Sequence, residues 1–403
     1  MAKQNLLVIG NGFDLTCRLK SSYTDYFNSK FPENLKKSLD SLIPLFETFY
    51  FKSVDDNDLN FNVYSLGLEE STLYGVPDGI NIWDLIIYYG IKGLPDKWSD
   101  VESRILEFLV YNPEIDGPKQ NIPNFSQLKG PMQSSDKLFD GKEYSSYFYS
   151  QLINFAAAKF KLPNPSNSKG ILLSELKKFE DHFTKYLLGL TNDDGSYSFT
   201  RNADELLHAI VNQAASSHTS SQAVLSFNYT TPLSSSELAN MQMNWRNIHG
   251  QLADNNIIFG IDQNKIKVTD VAYQFTKTYR QLIEENGGTD HSNSFLPEKN
   301  KIGTIIFYGH SLSEADYSYF QSIFDYYDIY GSEVEITFLY HDYLNDGNNS
   351  LQQIQVLSVS ELMKKYGQTM GNKDHGENLL HKLIIENRLE IKKIKVPTMI
   401  DLT

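Results

Sequence analysis

The sequence has a single cysteine, a shortage of basic residues and no long apolar run. The one cysteine, Cys17, excludes an internal disulfide and a structural zinc site built on several cysteines. With 36 Lys and Arg against 50 Asp and Glu, the net charge of -14 argues against broad electrostatic binding to nucleic acid. No uninterrupted apolar run approaches about 20 residues, so we expect no membrane span. Residues 1–5 lead directly into an apolar segment without the features of a signal peptide, so a cytoplasmic location is expected.

What is present indicates an ordinary globular chain. It has 403 residues, 40% of them hydrophobic and 21% charged, which is typical of folded rather than disordered proteins. This length exceeds what one small core can hold, so one large α/β domain with insertions, or two domains, is expected.

The opening stretch predicts a strand followed by a glycine turn and a helix. Residues 6–9 read Leu-Leu-Val-Ile, a run typical of a strand buried on both faces. Gly10 and Gly12 follow, and without Cβ atoms they allow a sharp turn and the close approach of a ligand. Such a turn before a helix points backbone amides at a phosphate. Leu15 stands where a full G-x-G-x-x-G motif has its third glycine, so a tight turn without a ligand is the alternative.

Apolar strand segments return only in the second half of the chain. Between them and the first strand lies a long helical stretch with an irregular insertion at 111–141. Strands that alternate with helices predict a mostly parallel sheet. The predicted later strands are 223–227, 257–261, 302–308 and 334–340, with helices at about 358–366 and 376–392 closing the chain.

The predicted fold is therefore an α/β, Rossmann-like, mostly parallel sheet flanked by helices, with a large helical insertion. The predicted parts are a nucleotide-binding core at 1–50 and 220–345, an inserted helical domain at 80–217, and a C-terminal helical segment at 346–403.

Polar motifs follow the predicted strands. In an open parallel sheet, ligands bind beyond the carboxyl ends of the strands. Each motif also has a purely structural interpretation: Asn228 as a turn residue, His249 as a core histidine, and Ser313 with Asp316 as a helix-capping box. The motifs are Gly10-Asn11-Gly12, Asn228, His249-Gly250 and Gly309-His310-Ser311.

We expect Gly12, Asn228, His249 and Ser311 to line one pocket, because each would emerge at the same edge of the sheet. For His249 this requires that residues 245–249 form a short strand parallel to the others.

The order of these motifs resembles the sirtuin-like nucleotide-binding fold. There a glycine-rich turn, a Q-N-I-D segment, an H-G pair and a G-T-S-L segment surround NAD. The AbiH family of bacteriophage abortive-infection proteins is a closer resemblance, extending from residue 6 to about 330. The stretches that carry it are the V-I-G-N-G-F-D-L run from Val8 to Leu15, Trp98-x-x-Val101-Glu102, Asn228-Tyr229-Thr230, Ile248-His249-Gly250 and Gly309-His310-Ser311-Leu312.

Two departures qualify the sirtuin resemblance. Sirtuin deacylases carry a four-cysteine zinc module that one cysteine cannot build, which disfavours protein deacylation. Thr230 stands where sirtuin-like enzymes carry aspartate; its hydroxyl can bond to a ribose but cannot act as a carboxylate base.

The resemblance implies an antiphage hydrolase that cleaves the nicotinamide–ribose bond of NAD, with NAD as substrate or ligand and no metal. Asn228 would orient the ribose and the attacking water. His249 would be the general base, since histidine titrates near neutrality. The expected nucleotide-binding residues are Gly10, Asn11 and Gly12, whose amides would cradle the pyrophosphate, together with Asp14, Thr230, Gly309 and Ser311. For Asp14, capping of the following helix is the alternative.

Two other functions stay open at this point. The first is a sensor or interaction module that binds NAD or ADP-ribose without turnover. The second is an RNA-cleaving toxin that uses His249 with His310, which the acidic net charge disfavours. Expected partners are a nucleotide, a phage-derived trigger protein and, in a homo-oligomer, further copies of the chain, with no bulk nucleic acid and no membrane.

Overall fold

A computed structural model of the protein describes nine parts of the chain. These are residues 3–41, 80–91, 101–110, 168–192, 195–214, 219–264, 266–284, 295–342 and 350–396. The predicted irregular insertion at 111–141 lies outside the described residues, as does Trp98.

One six-stranded sheet organises the fold, and every neighbouring pair of its strands is parallel. The strand order is β3-β2-β1-β4-β5-β6, which places the first strand of the chain at the centre. This confirms the predicted α/β fold with a parallel sheet. The strands are β1 (Lys3–Ile9), β2 (Thr219–Ser226), β3 (Met243–Asn247), β4 (Ile302–Tyr308), β5 (Glu335–Tyr340) and β6 (Leu389–Lys393).

The central position of β1 explains its apolar sequence. Successive side chains of a strand point to opposite faces of the sheet. Leu6 and Val8 accordingly pack in one core and Leu7 and Ile9 in the other, and all four are fully buried. A strand with polar residues at these positions would leave one of the two cores incomplete.

Helices cover both faces of the sheet. The helices are α1 (Asn11–Thr16), α2 (Tyr23–Lys30), α3 (Glu33–Ser41), α4 (Ile82–Ile91), α5 (Val101–Val110), α6 (Ser168–Asn192), α7 (Gly195–Ala214), α8 (Ser235–Asn240), α9 (Lys277–Glu284), α10 (Tyr317–Tyr327), α11 (Ser350–Thr369) and α12 (Lys373–Ile385). Residues of α10, α11 and α12 pack in the core with Leu6, and residues of α1 and α7 pack in the core with Leu7. None of the helices in the described part of the chain has the length and apolar character needed to cross a membrane.

Two predicted elements differ in the structure. The predicted strand at 257–261 is absent from this described segment except for one isolated bridge between Ile261 and Thr276, and β3 lies beside β2 instead. The predicted helix at 376–392 ends at Ile385 with α12, because Asn387 adopts a left-handed backbone with φ 53. The chain then forms edge strand β6, so the C-terminal segment is not wholly helical.

The chain divides into two compact units. The first comprises Met1–Ser21, Leu187–Ile258 and Gln281–Thr403 and contains the whole sheet. The second comprises Ser22–Tyr186 and Phe259–Arg280. Within the second unit, the rings of Tyr26 and Phe183 meet edge-to-face at 5.0 Å, and Lys277 Nζ donates to Glu102 Oε2 at 2.8 Å.

Candidate functional site

The four polar motifs all lie at the carboxyl edge of the sheet. Gly10 directly follows β1, Asn228 lies two residues after β2, His249 two residues after β3, and Gly309 directly follows β4. Because all these strands are parallel, their carboxyl ends meet at one edge. The predicted strand at 245–249 is found two residues earlier, as β3, which runs parallel to β2 as His249 requires and ends at Asn247.

The glycines of the first and last motifs bring two loops into backbone contact. Gly12 N–H donates to Gly309 O at 2.7 Å, and Gly10 N–H donates to Tyr308 O at 3.1 Å. A Cβ on Gly12 would lie 2.7 Å from Gly309 Cα, so no larger residue fits. The amides of Gly10 and Gly12 are therefore not available to a pyrophosphate as predicted, because both already donate to backbone carbonyls of the protein. Of the three predicted amides, Asn11 N–H is the one that we retain for a ligand.

Replacing Gly309 by alanine is expected to destabilise the protein. Gly309 has φ +66, and a Cβ there would lie 2.4 Å from Phe13 N. The left-handed backbone alone costs a non-glycine residue about 1–3 kcal/mol, and the clash adds to it. Gly189→Ala is the matched control: Gly189 lies in helix α6 with no atom within 4 Å of its Cβ position. We expect the free energy of unfolding of this control, measured in urea, to exceed that of the wild type by about 0.5–1 kcal/mol. Equal stability of the two variants would contradict the argument.

Asp14 is the centre of a buried polar cluster. Its Oδ1 accepts a hydrogen bond from Asn228 Nδ2 at 2.9 Å, and its Oδ2 accepts one from Thr230 Oγ1 at 2.7 Å. The residue is 1% exposed, and burial raises the pKa of its carboxyl from 3.8 to about 7 although both hydrogen bonds lower it. Asp14 does not cap helix α1, because Gly10 occupies the N-cap position. Direct contact of Asp14 or Thr230 with a nucleotide stays a prediction.

The cluster orients the amide of Asn228. With Nδ2 directed to Asp14, the Asn228 Oδ1 atom points elsewhere, is buried and has no hydrogen-bond partner among the described residues. A buried acceptor without a partner costs about 1–3 kcal/mol, so such an atom invites a donor from a ligand or water. This is the geometry that a residue placed to hold a hydroxyl would have.

A second cluster contains two histidines and one carboxylate. Asp316 Oδ1 lies 3.4 Å from His249 Nε2, and Asp316 Oδ2 lies 3.4 Å from His310 Nε2. The histidine side chains are each 4% exposed and that of Asp316 is 11% exposed. Leu312 N–H donates to His310 Nδ1 at 2.9 Å. A carboxylate at this distance can stabilise the charged form of either imidazole.

The role of Asp316 differs from the predicted capping box. Ser313 makes no side-chain cap bond, and the Asp316 carboxylate faces the histidines instead. This role could not be predicted from the sequence, because a Ser followed three residues later by an acidic residue is also the usual pattern at the start of a helix.

Aromatic rings pack around the two histidines. The Phe227 ring meets His249 edge-on at 5.4 Å and His310 at 4.7 Å, and Tyr319 lies 5.5 Å from His249. Phe227 thus contacts one cluster, while the next residue, Asn228, bonds to the other. Ser311, the residue after His310, is exposed. That Gly12, Asn228, His249 and Ser311 line a single pocket stays a prediction. Within the described ranges, no group of three or more His, Cys, Asp or Glu residues is arranged to hold a metal ion.

Comparison with known proteins identifies a family. The family model described as bacteriophage abortive infection AbiH matches residues 6–340. That range extends from the middle of β1 to the end of β5 and includes both polar clusters. No curated protein and no solved structure matches the chain.

Proposed function

Because this chain belongs to the bacteriophage abortive infection AbiH family, we propose that it acts in that response by hydrolysing the nicotinamide–ribose bond of NAD. The loss of NAD would stop the metabolism of the host and with it the growth of the phage. The observation that carries the proposal is a buried histidine, His249, whose Nε2 lies 3.4 Å from the Asp316 carboxylate at the carboxyl edge of a parallel sheet. That edge is where α/β proteins of this architecture bind nucleotides.

The proposed chemistry uses both polar clusters. As the bond from C1′ of the ribose to the nicotinamide nitrogen breaks, positive charge develops on the ribose, and the departing nicotinamide keeps the bonding electrons. A water molecule forms the new C1′–O bond and gives its proton to His249, which Asp316 stabilises in the charged form. Asn228 Oδ1 accepts a hydrogen bond from a ribose hydroxyl or from the water. The products are nicotinamide, ADP-ribose and a proton.

The rest of the nucleotide would lie along the same edge, in a sirtuin-like manner. We assign Asn11 N–H and the exposed Ser311 hydroxyl to the phosphate or second ribose oxygens. Gly309 has an indirect role: because it lacks a side chain, it can contact Gly12 closely, and this contact brings the two loops together.

The test is nicotinamide release from NAD by the purified protein, with and without extract of phage-infected cells. We expect the wild type to release nicotinamide, and His249→Gln and Asn228→Ala to lower kcat by at least about 100-fold. His208→Gln is the matched control, because His208 is an exposed histidine whose Nε2 lies 3.7 Å from Asp204 Oδ1. An active protein that is unaffected by both site variants would exclude the assignment of these residues.

A nucleotide sensor without turnover is the second candidate. Thr230 favours this function, because it occupies the position at which the sirtuin-like enzymes have an aspartate. The Thr230 hydroxyl donates a hydrogen bond to Asp14. Calorimetry with NAD and with ADP-ribose separates the two functions. Binding of NAD that is recovered intact after hours with the phage-infected extract would support the sensor and exclude the hydrolase.

A further inference from the structure

We propose that Asn247 is a positioning residue for Asn228. Its amide holds the loop that follows β2, so that the Asn228 Oδ1 atom stays in place as a hydrogen-bond acceptor. Asn247 is the last residue of β3 and is half-buried. The hold on the loop stands on geometry alone, whereas its effect on turnover rests on the proposed NAD hydrolysis.

The first step is the hydrogen bonding of the Asn247 amide, which is complete. Nδ2 donates to Asn228 O and to Thr230 O, each at 2.8 Å. Oδ1 accepts from Thr231 Oγ1 at 2.8 Å and from Trp245 Nε1 at 3.1 Å. Because a carboxamide has two donor hydrogens and an oxygen with two lone pairs, these four bonds satisfy the whole group.

The second step is the orientation of this amide, which its partners fix. Backbone carbonyls can only accept hydrogen bonds, and the indole N–H of Trp245 can only donate one. Exchanging the two ends of the amide would place Oδ1 against two carbonyl oxygens and Nδ2 against the indole N–H. An aspartate at position 247 would have the same shape but could not make these bonds to the loop, since an ionised carboxylate has no donor.

The third step connects Asn247 with the cluster around Asp14. The two residues whose carbonyls bind Asn247 are Asn228 and Thr230, and the side chains of these same residues donate to Asp14. Asn247 therefore holds the loop by its main chain and Asp14 holds it by its side chains.

The consequence is a fixed position for Asn228 Oδ1. This atom is buried and has no hydrogen-bond partner within the part of the chain that the structure describes. A displacement of about 1 Å at a group that positions substrate can cost about 10²-fold in rate. Asn247 can therefore control turnover without contacting the substrate.

The experiment is NMR of the full-length protein labelled with ¹⁵N-asparagine, which follows the exchange of side-chain amide hydrogens with solvent. Asn228→Ala, Asn244→Asp and Asn247→Asp spectra assign the three signals. In the wild type we expect the Asn247 hydrogens to exchange at least about 10-fold more slowly than those of Asn244, an exposed residue of the same strand. In Asn247→Asp we expect the exchange of the Asn228 hydrogens to accelerate by about 10-fold or more, because their loop has lost its main-chain anchor.

The matched control is Asn244→Asp, which makes the same change at an exposed position of β3 and should leave the exchange of Asn228 unchanged. Equal exchange of Asn247 and Asn244 in the wild type would overturn the proposal, and so would unchanged Asn228 exchange in a folded Asn247→Asp variant. If that variant does not fold, Asn247→Ala replaces it, since water can reach the two carbonyls at this half-buried position. It is expected to accelerate Asn228 exchange by a smaller factor, and no acceleration would equally overturn the proposal.

The kinetic arm tests whether Asn247 acts through Asn228. Asn247→Asp is expected to lower kcat for NAD by about 10–100-fold. Most of this effect should disappear in an Asn228→Ala background, because the group that Asn247 positions is then absent. The full effect in both backgrounds would indicate a general loss of structure and would overturn the positioning role.

The two sets of measurements separate this inference from the proposed function. The expected exchange rates without NAD cleavage would defeat only the proposed function. NAD cleavage that Asn247→Asp leaves at the wild-type rate would defeat only this inference.

Discussion

Replacing Asp14 by asparagine is expected to remove a pH-dependent cost from the stability of the protein. Burial raises the pKa of this carboxyl from 3.8 to about 7. Between these two values the folded protein holds a proton that the unfolded chain releases. The free energy of unfolding contributed by this group therefore falls as the pH rises through that window, and the loss is complete above the folded pKa. A shift of about three units corresponds to about 4 kcal/mol.

Asparagine is a close mimic of the protonated carboxyl. Its oxygen can accept from Asn228 Nδ2, and its N–H can donate to Thr230 Oγ1, which reverses the bond seen with the ionised form. The packing around position 14 is thus retained while the titration is lost. The same reversal occurs in the wild type when Asp14 gains its proton near neutral pH.

The measurement is urea unfolding of both proteins at pH 5 and at pH 8. From pH 5 to pH 8 we expect the free energy of unfolding of Asp14→Asn to rise by about 2–3 kcal/mol relative to that of the wild type. Asp254→Asn, at an exposed carboxylate that accepts from Gln251, is the control and should show no comparable gain. A stability difference between Asp14→Asn and the wild type that is the same at both pH values would contradict the buried, titrating carboxyl.

Arg280→Met is expected to lower the stability of the second unit by about 3–5 kcal/mol. Arg280 donates to both oxygens of the buried Glu180 carboxylate, with 2.9 Å between Nη2 and Oε2, and also to Phe259 O at 2.8 Å. Burial raises the pKa of Glu180 while the guanidinium opposes that shift. Removing the guanidinium leaves a carboxylate that is closed to water without its counter-charge, and this is the source of the loss.

A double variant tests that explanation. Glu180→Gln combined with Arg280→Met removes both charges, and glutamine can still accept the Phe259 N–H bond that Glu180 Oε1 accepts at 2.8 Å. We expect the pair of changes to cost clearly less than Arg280→Met alone. Lys177→Met, at a partly exposed lysine 3.8 Å from Glu180 Oε2, should change stability by no more than about 1 kcal/mol. If the double variant is less stable than the single one, uncompensated charge is not the cause.

The parts of the fold that the sequence predicted correctly are those with strong local patterns. Residues 6–9 read as a buried strand because a fully covered strand has no polar face, and the structure places them at the centre of the sheet. Edge strand β6 was missed because an edge strand is half exposed, and its mixed sequence continues the helical pattern that precedes it. The predicted strand at 257–261 was wrong because a short apolar run is buried equally well by irregular backbone.

The sequence by itself determined the central strand, the glycine turns and the set of polar residues at the carboxyl edge, because each depends on neighbours within a few positions. Only the tertiary structure decided their partners. Asp14 and Asn228 are 214 residues apart, and the parallel pairing of β1 with β2 brings them into contact. Likewise, Asp316 faces His249 and His310 rather than capping a helix, because a local cap and a distant imidazole compete for one carboxylate. Which of the two the carboxylate faces depends on the positions of the imidazoles in the folded chain.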